Sequence, residues 1–333
     1  MNDSFKSVAF FDVKPYDIQW FDKLKESYKL KITYFEPKLD LTTVQLTKGF
    51  DAVCVFVNDN LSADIIDKLS ENGVKAVALR CAGFNNVDLK AANNKIKVYR
   101  VPAYSPNAVA EHAMALLLCL NRKIHRAYNR VREYNFSLKG LIGFDLKCKT
   151  MGVVGTGKIG QEFIKICQGF GMNILCYDPY PVEIENVKYV TLAELFKESD
   201  IISLHCPLTT ENIHLINRHT LSLMKDGVYI INTSRGRLID TEALLDAIKT
   251  ERVAAAGLDV YEEEENFFFE DISTDTVHDD VLKLLLSTPN IIVTSHQAFL
   301  TEEALYNISE VTLGNLADFF EQRQNPNEVV FQG

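Results

Sequence analysis

Apolar and polar residues follow each other along the chain in a pattern typical of parallel α/β proteins. Short apolar runs rich in Val, Ile and Phe, bounded by turn or charged residues, predict strands. Amphipathic stretches between them predict helices, such as one over 62–71 with Ser62 as its N-cap. Because the two patterns alternate, we expect parallel sheets covered by helices on both faces. The predicted strands fall into two blocks, the first at 8–13, 30–35, 52–57, 76–79 and 96–101, and the second at 151–155, 173–178, 201–205, 228–233, 254–260 and 291–294.

Two long amphipathic segments lie at the ends of the second block. The first predicts a helix over 107–132, with one apolar face formed by Val109, Ala113, Leu116, Leu117 and Leu120. The second predicts a helix over 301–323, which ends before Asn325 and Pro326. The chain has 333 residues, enough for two domains, and no linker rich in Pro, Gly or Ser separates the blocks.

Composition and charge narrow the classes of function. The net charge of −10 gives the chain no electrostatic reason to bind nucleic acid or an anionic membrane, so an anionic substrate would need a local cation. The seven cysteines have no metal-like spacing, which predicts reduced core residues and no metal site. Residues 1–11 lack a signal-peptide pattern, and the longest apolar run, 113–120, is too short to cross a bilayer. We therefore expect a cytoplasmic protein without membrane or nucleic-acid partners.

A glycine motif in the second block indicates a dinucleotide site. The predicted strand at 151–155 leads into Gly155-Thr156-Gly157-Lys158-Ile159-Gly160 and then a helix. In such motifs the first glycine makes a tight turn, the second admits the pyrophosphate, and the third lets helix and strand pack closely. Asp178 ends the next predicted strand, about twenty residues on, where a carboxylate accepts the ribose hydroxyls. A 2′-phosphate would meet this negative charge, so the sequence favours NAD over NADP.

If the hydride acceptor of such an NAD site is a 2-oxo acid, its reduction needs a cation for the carboxylate, an acid for the oxygen, and a partner for that acid. These residue types follow predicted strands, where functional groups of open α/β sheets collect. Arg235 can bind a carboxylate bidentately. The acidic run 262–265 resembles a solvated loop, from which one glutamate could turn inward. His205 and His296 both follow strands, and their spacing does not choose between them.

Seven segments of the chain together resemble the D-isomer-specific 2-hydroxyacid dehydrogenases. The likeness covers almost the whole chain and is especially close to the fermentative, NAD-dependent D-lactate dehydrogenases at 82–88 and 296–300. The segments are 80–88, 101–112, 152–160, 203–209, 232–240, 257–264 and 296–300.

The resemblance implies an assignment of roles. It implies the reduction of pyruvate to D-lactate. In this reaction Arg235 would anchor the carboxylate, His296 would act as acid/base, and Glu264 would be the partner of His296. Besides the glycine motif and Asp178, the implied NAD-binding residues are Cys206, Pro207, Asn212, Thr233, Ser234, Arg235 and Asp259. Those implied for the substrate, besides Arg235, are Ala82, Gly83, Tyr104 and Phe299.

The resemblance also implies an architecture and an assembly. A flavodoxin-like substrate domain would comprise 1–102 and 300–333, and an inserted NAD-binding Rossmann domain would comprise 103–299, with a cleft between the two doubly wound sheets. The family's twofold contact lies in the region of the helix predicted over 107–132. We therefore expect a homodimer, or a homotetramer built from dimers.

Other functions stay open at this stage. A bulkier 2-oxo acid would use the same mechanism, whereas formate enzymes are expected to carry Gln in place of Glu264, and phosphoglycerate enzymes often have a further domain. From a different class, an NAD-sensing binding protein would keep the fold without turnover. The stretch 262–280 contains three consecutive phenylalanines, which predict docking onto another surface, such as a neighbouring subunit.

Overall fold

The computed structural model describes residues 5–264 and 267–331. The chain forms two compact units, Met1–Ser105 with Leu300–Gly333, and Pro106–Phe299. The first unit therefore extends to Ser105, whereas the sequence placed the boundary after residue 102.

Twelve strands and eleven α-helices are found in the described residues. The strands are β1 (Lys6–Phe10), β2 (Leu30–Tyr34), β3 (Ala52–Val55), β4 (Ala76–Leu79), β5 (Lys97–Tyr99), β6 (Thr150–Val154), β7 (Asn173–Tyr177), β8 (Lys188–Tyr189), β9 (Ile201–Leu204), β10 (Val228–Asn232), β11 (Val253–Leu258) and β12 (Ile291–Val293). The helices are α1 (Pro15–Leu24), α2 (Ala63–Glu71), α3 (Leu89–Ala92), α4 (Pro106–Arg122), α5 (Ile124–Arg132), α6 (Lys158–Gly169), α7 (Leu192–Glu198), α8 (Arg218–Leu223), α9 (Thr241–Lys249), α10 (Asp280–Ser287) and α11 (Glu302–Phe320).

The first unit contains a parallel five-stranded sheet in the order β2-β1-β3-β4-β5. This is the flavodoxin-like order that was expected. All residues of β3 and β4 are buried, because helices cover a parallel sheet on both faces. Helix α2 turns Ile65, Ile66 and Leu69 inward, and α11 returns the end of the chain to this unit.

The second unit contains a parallel seven-stranded sheet in the order β12-β11-β10-β9-β6-β7-β8. Six of these strands follow the Rossmann order, extended at one edge by β12. The doubly wound α/β fold expected for this unit is confirmed. Apolar clusters fill both sides of the sheet, one including Phe196 and Ile230, the other Phe163 and Leu117.

The helix predicted over 107–132 is wrong as one continuous element. Lys123 adopts a left-handed conformation, with φ of 52°, and separates α4 from α5. Helix α4 buries a broad apolar face, whereas α5 has no buried residue. The two helices therefore meet different surroundings, although their hydrophobic pattern continues across the break.

The remaining differences are small. Most predicted strands run one to three residues too far, because pairing ends where the chain turns into polar loops. The two-residue strand β8 was not predicted. All seven cysteines are free, and four of them are buried, but Cys148 is exposed, contrary to the expectation of core positions. Among the described residues, no helix has the length and apolarity needed to cross a membrane.

Candidate active site

Three neighbouring strand ends of the second unit carry the candidate catalytic side chains. Strand β11 lies between β10 and β12, with Leu258 opposite both Asn232 and Val293. Because the strands are parallel, their carboxyl ends lie along one edge of the sheet. Arg235, Glu264 and His296 follow β10, β11 and β12 at this edge.

His296 is paired with a carboxylate of the acidic run. Its Nδ1 lies 2.9 Å from Glu264 Oε1, and Glu264 Oε2 accepts the Tyr261 N–H at 3.0 Å. The His296 N–H donates to the Asp259 carbonyl at 2.7 Å, and the residue adopts a left-handed backbone, with φ of 53°. No described residue hydrogen-bonds His296 Nε2, so this nitrogen remains available for a substrate.

Two glutamates of the acidic run turn inward, where the sequence predicted one. Besides Glu264, Glu262 contacts His214 Nε2 through Oε1 at 2.7 Å and accepts the Thr241 N–H at 2.9 Å. Glu262 thereby connects the loop before α8, the start of α9 and the turn that leads to Glu264. Glu263 is exposed, and Glu265 lies outside the described residues.

Asp259 is buried and shapes the loop that carries His296. Its carboxylate accepts hydrogen bonds from Thr294 Oγ1 at 2.6 Å and from the N–H groups of Gln297 and Ala298 at 2.9 and 2.8 Å. Burial raises the pKa of Asp259, but the hydrogen bonds from His112, Thr294 and Ala298 outweigh burial and lower it. These contacts position the loop that carries His296, and the cofactor contact of Asp259 remains a prediction from the sequence.

The turn after β10 presents Arg235. The Asn232 side chain accepts the Ser234 N–H at 3.0 Å and donates to the Arg235 carbonyl at 2.9 Å, which fixes the turn. The next residue, Gly236, packs against the backbone of Tyr261, where a Cβ atom would lie 2.1 Å from the carbonyl group. The Arg235 turn therefore lies directly against the start of the Glu264 turn.

His205 has surroundings unlike those of His296. Its Nε2 bonds Ser203 Oγ at 2.8 Å, its ring packs on Phe163, and its Nδ1 is buried without a partner among the described residues. Burial lowers the pKa of His205 to about 3. A histidine that stays neutral near pH 7 and lacks a carboxylate partner is a poor candidate for the acid, so the geometry favours His296.

The glycine motif forms the turn between β6 and α6. Gly155 has φ of 97°, and a Cβ on Gly160 would lie 2.1 Å from the Gly155 carbonyl oxygen. At Gly157, in contrast, a Cβ would meet nothing within 4 Å. Asp178 accepts the Thr156 N–H at 2.7 Å and the Tyr180 N–H at 2.8 Å, so its carboxylate lies beside the turn.

The residues present fit a dinucleotide. Thr233 Oγ1 is buried without a hydrogen-bond partner among the described residues, and open space lies above Gly157. Lys158 and Ile159 begin α6, where free N–H groups favour a pyrophosphate. The other predicted cofactor residues line the loops after β9 and β10: Cys206, Pro207, Asn212, Ser234 and Arg235.

The contacts predicted for Ala82, Gly83, Tyr104 and Phe299 remain predictions from the sequence. Arg100 Nη1 donates to the Ala82 carbonyl at 3.0 Å, and Asn307 donates to the Tyr104 carbonyl at 2.7 Å, which hold these segments of the first unit. Phe299 is buried at the end of the second unit. Residues 5–264 and 267–331 contain no group of three or more His, Cys, Asp or Glu suited to a metal ion.

Comparison with known proteins finds matches to 2-hydroxyacid dehydrogenases over nearly the whole chain. Residues 114–298 match the family model for the NAD binding domain of D-isomer specific 2-hydroxyacid dehydrogenases. A 2-hydroxyacid dehydrogenase homolog of Haemophilus influenzae is 53% identical over 93% of this chain and 95% of its own. The D-lactate dehydrogenase of Escherichia coli is 50% identical over 97% of this chain and 99% of its own. The solved structure of a pyruvate reductase of Chlamydomonas reinhardtii has a TM-score of 0.93 at 43% identity and covers 97% of this chain and 99% of its own.

Several residues around the site were not singled out from the sequence. They are Asn232, His112, Thr294 and His214, each in contact with a residue that was. Only Thr294 and Asn232, at the ends of predicted strands, carried a signal that could have identified them. The others reach the site through the fold, from positions distant in sequence.

Proposed function

We propose, from the premise that the chain belongs to the D-isomer specific 2-hydroxyacid dehydrogenase family, that it catalyses the reversible NADH-dependent reduction of pyruvate to D-lactate. The observation that carries the proposal is the pairing of His296 Nδ1 with Glu264 Oε1 at 2.9 Å. The pair lies at the ends of β12 and β11, and β11 is next to β10, the strand that leads to Arg235. The E. coli relative, which is 50% identical, carries this activity in its name.

Each side chain has its own role in the proposed reaction. Arg235 binds the substrate carboxylate through its guanidinium, which can contact both oxygens. Glu264 holds Nδ1 of His296, so that Nε2 carries the proton that passes to the substrate oxygen. General acid catalysis of this kind contributes about 10²–10⁴-fold to the rate. NADH, when bound, supplies the hydride to the carbonyl carbon.

The cofactor and its preference follow from the second unit. We assign the pyrophosphate to the space above Gly157 and to the first N–H groups of α6. Asp178 would accept the adenosine ribose hydroxyls and repel a 2′-phosphate. The buried Thr233 hydroxyl, which has no hydrogen-bond partner among the described residues, is assigned to the same ligand.

The direct test is a turnover assay, which follows NADH oxidation with pyruvate and with larger 2-oxo acids, and NAD reduction with D- and L-lactate. We expect fast turnover of pyruvate, and of D-lactate only. His296→Ala should lose most of this turnover while NADH binding persists. A preference for a larger acid would change the substrate but keep the mechanism. Tight NADH binding without any turnover would instead indicate a binding protein.

An assembly and a location are part of the proposal. Helix α5 exposes an apolar stripe of Ile124, Tyr128 and Val131, and the segment after it exposes Tyr134, Phe136, Leu138 and Ile142. Exposed apolar patches of this kind mark sites of protein association. We propose a homodimer through this face, alone or within a tetramer, in the cytoplasm.

A further inference from the structure

Three consecutive phenylalanines follow the turn that carries Glu264. The N–H groups of Phe267 and Phe268 donate to the Glu264 carbonyl at 3.0 and 2.8 Å. The Glu264 side chain, at the same time, holds the imidazole of His296. The phenylalanine segment is therefore tied to the backbone of the residue that holds the proposed acid.

Phe268 anchors this segment in the core of its own unit. It is only 7% exposed and belongs to the apolar cluster that also contains Leu282 and Ile291. Full burial of a phenylalanine stabilises a fold by about 1.5–3 kcal/mol. The docking predicted for the phenylalanines is found on their own unit, because Phe267 and Phe269 are also partly buried against this cluster. The burial of Phe268 also fixes where the next residue lies.

Phe269 is directed at the imidazole of His296. The ring centroids lie 5.9 Å apart with an interplanar angle of 34°. Phe269 reaches this position with φ of 70°, in the left-handed region, and His296 itself has φ of 53°. Such backbone conformations of bulky residues persist only where the surrounding structure compensates for them, and they cluster at functional sites.

We propose that Phe269 is a positioning residue that fixes the direction of His296 Nε2. A single hydrogen bond from Nδ1 to Glu264 leaves the imidazole free to rock about the line joining these atoms. The Phe269 ring on one side of the imidazole blocks that motion. Proton transfer needs the two heavy atoms within about 2.6–3.2 Å, so the direction of Nε2 governs the rate. The inference rests on the proposed role of His296 as the acid.

The first test is removal of the ring. A misplacement of about 1 Å can cost up to about 10²-fold in rate, so Phe269→Ala should lower kcat about tenfold. The KM for pyruvate and the Kd for NADH should stay within about twofold, because neither Arg235 nor the glycine motif is altered. Phe269→Tyr, which keeps the ring, should restore kcat. Phe267→Ala is the matched control, because Phe267 makes no ring contact with His296, and it should retain wild-type kcat.

A second variant distinguishes the effect of losing the ring from the effect of backbone strain. Glycine adopts positive φ without strain, so Phe269→Gly relieves the left-handed conformation while it removes the ring. We expect Phe269→Gly to lose as much kcat as Phe269→Ala does. Its Tm should be equal to or higher than the Tm of Phe269→Ala. If Phe269→Gly recovered the kcat that Phe269→Ala loses, backbone strain would explain the loss and the proposal would be wrong.

The double variant tests whether Phe269 acts through His296. In a His296→Ala background, Phe269→Ala should cause no further loss of kcat, because interacting residues are not additive. A full additional tenfold loss would contradict the proposal, as would wild-type kcat in the single variant.

A wild-type enzyme that turns over no 2-oxo acid would contradict the proposed function. Normal wild-type turnover with an unaffected Phe269→Ala would overturn only the role of Phe269.

Discussion

At the scale of single residues, two glycines of the nucleotide turn have opposite surroundings. Gly160 lies against the backbone of Gly155, so no side chain fits there. Gly157 faces open space, and an alanine would fit the structure as described. Both residues were assigned to the cofactor, yet only Gly160 is required for packing of the protein itself. The space at Gly157 has a function only if a ligand occupies it.

Gly157→Ala should therefore fold normally and bind NADH poorly. Its added methyl group would occupy the space assigned to the pyrophosphate, and we expect the Kd for NADH to rise at least about tenfold, a cost of about 1.4 kcal/mol. Gly160→Ala should instead lower the Tm. The control is Gly169→Ala at the other end of α6, where a Cβ also meets nothing within 4 Å, so NADH binding should stay unchanged and the Tm should not fall. Calorimetric titration and thermal unfolding measure the two effects, and unaltered NADH binding by Gly157→Ala would contradict the assignment.

The sequence predicted the residues of the site better than their contacts. The glycine motif and Asp178 follow from spacing, because adjacent elements fix their geometry. The choice between His205 and His296 did not follow, because both end a strand and differ only in what packs around them. The inward turn of Glu262 was missed for the same reason. Its partner His214 lies 48 residues away in sequence.

At the scale of elements, helix α10 is joined to the turn that carries the proposed acid pair. Asp279 caps α10 by accepting the Leu282 N–H at 2.9 Å through Oδ1. Its Oδ2 accepts the Tyr261 hydroxyl at 2.7 Å, and the Tyr261 N–H in turn binds Glu264. One carboxylate thus supports both the start of a helix and the turn at the end of β11.

Asp279→Ala should destabilise the protein by about 1–3 kcal/mol, because it removes an N-cap and leaves the Tyr261 hydroxyl unpaired. Asp280→Ala is the matched control. Asp280 is the next residue, its side chain is 92% exposed, and it forms a salt bridge with Lys283. We expect this control to change stability by less than about 0.5 kcal/mol. Urea unfolding of both variants gives the comparison, and equal stabilities would refute the coupling.

Element boundaries were the weakest part of the prediction from sequence. The break between α4 and α5 lies at a left-handed lysine, a residue type that carries no signal for this conformation. The Lys123 ammonium bonds the Ile142 carbonyl at 2.7 Å, so a contact distant in sequence accompanies the break. The parallel sheets were predictable from the alternation of strands and helices, and their strand orders from the family resemblance, whereas this contact was not.

At the scale of the whole molecule, the exposed apolar face of the second unit indicates a surface that packs against another protein chain. Ile124, Tyr128 and Val131 follow the helical repeat along α5, which has no fully buried residue. Tyr134 and Ile142 extend the face and are 85% and 86% exposed. Amphipathic helices become stable chiefly by packing their apolar side, and a second copy of the chain would supply that packing.

Light scattering should therefore give the mass of a dimer or a tetramer for the wild type. Ile142→Asp and Tyr128→Asp should shift the mass toward a smaller species, because each places an unpaired charge in an apolar interface at a cost of several kcal/mol. Leu286→Asp is the control, because Leu286 is 63% exposed on α10, away from this face in sequence, and it should keep the wild-type mass. A wild type that is monomeric at micromolar concentration would refute the proposed interface. Equal dissociation by all three variants would show that the added charge, rather than its place, determines assembly.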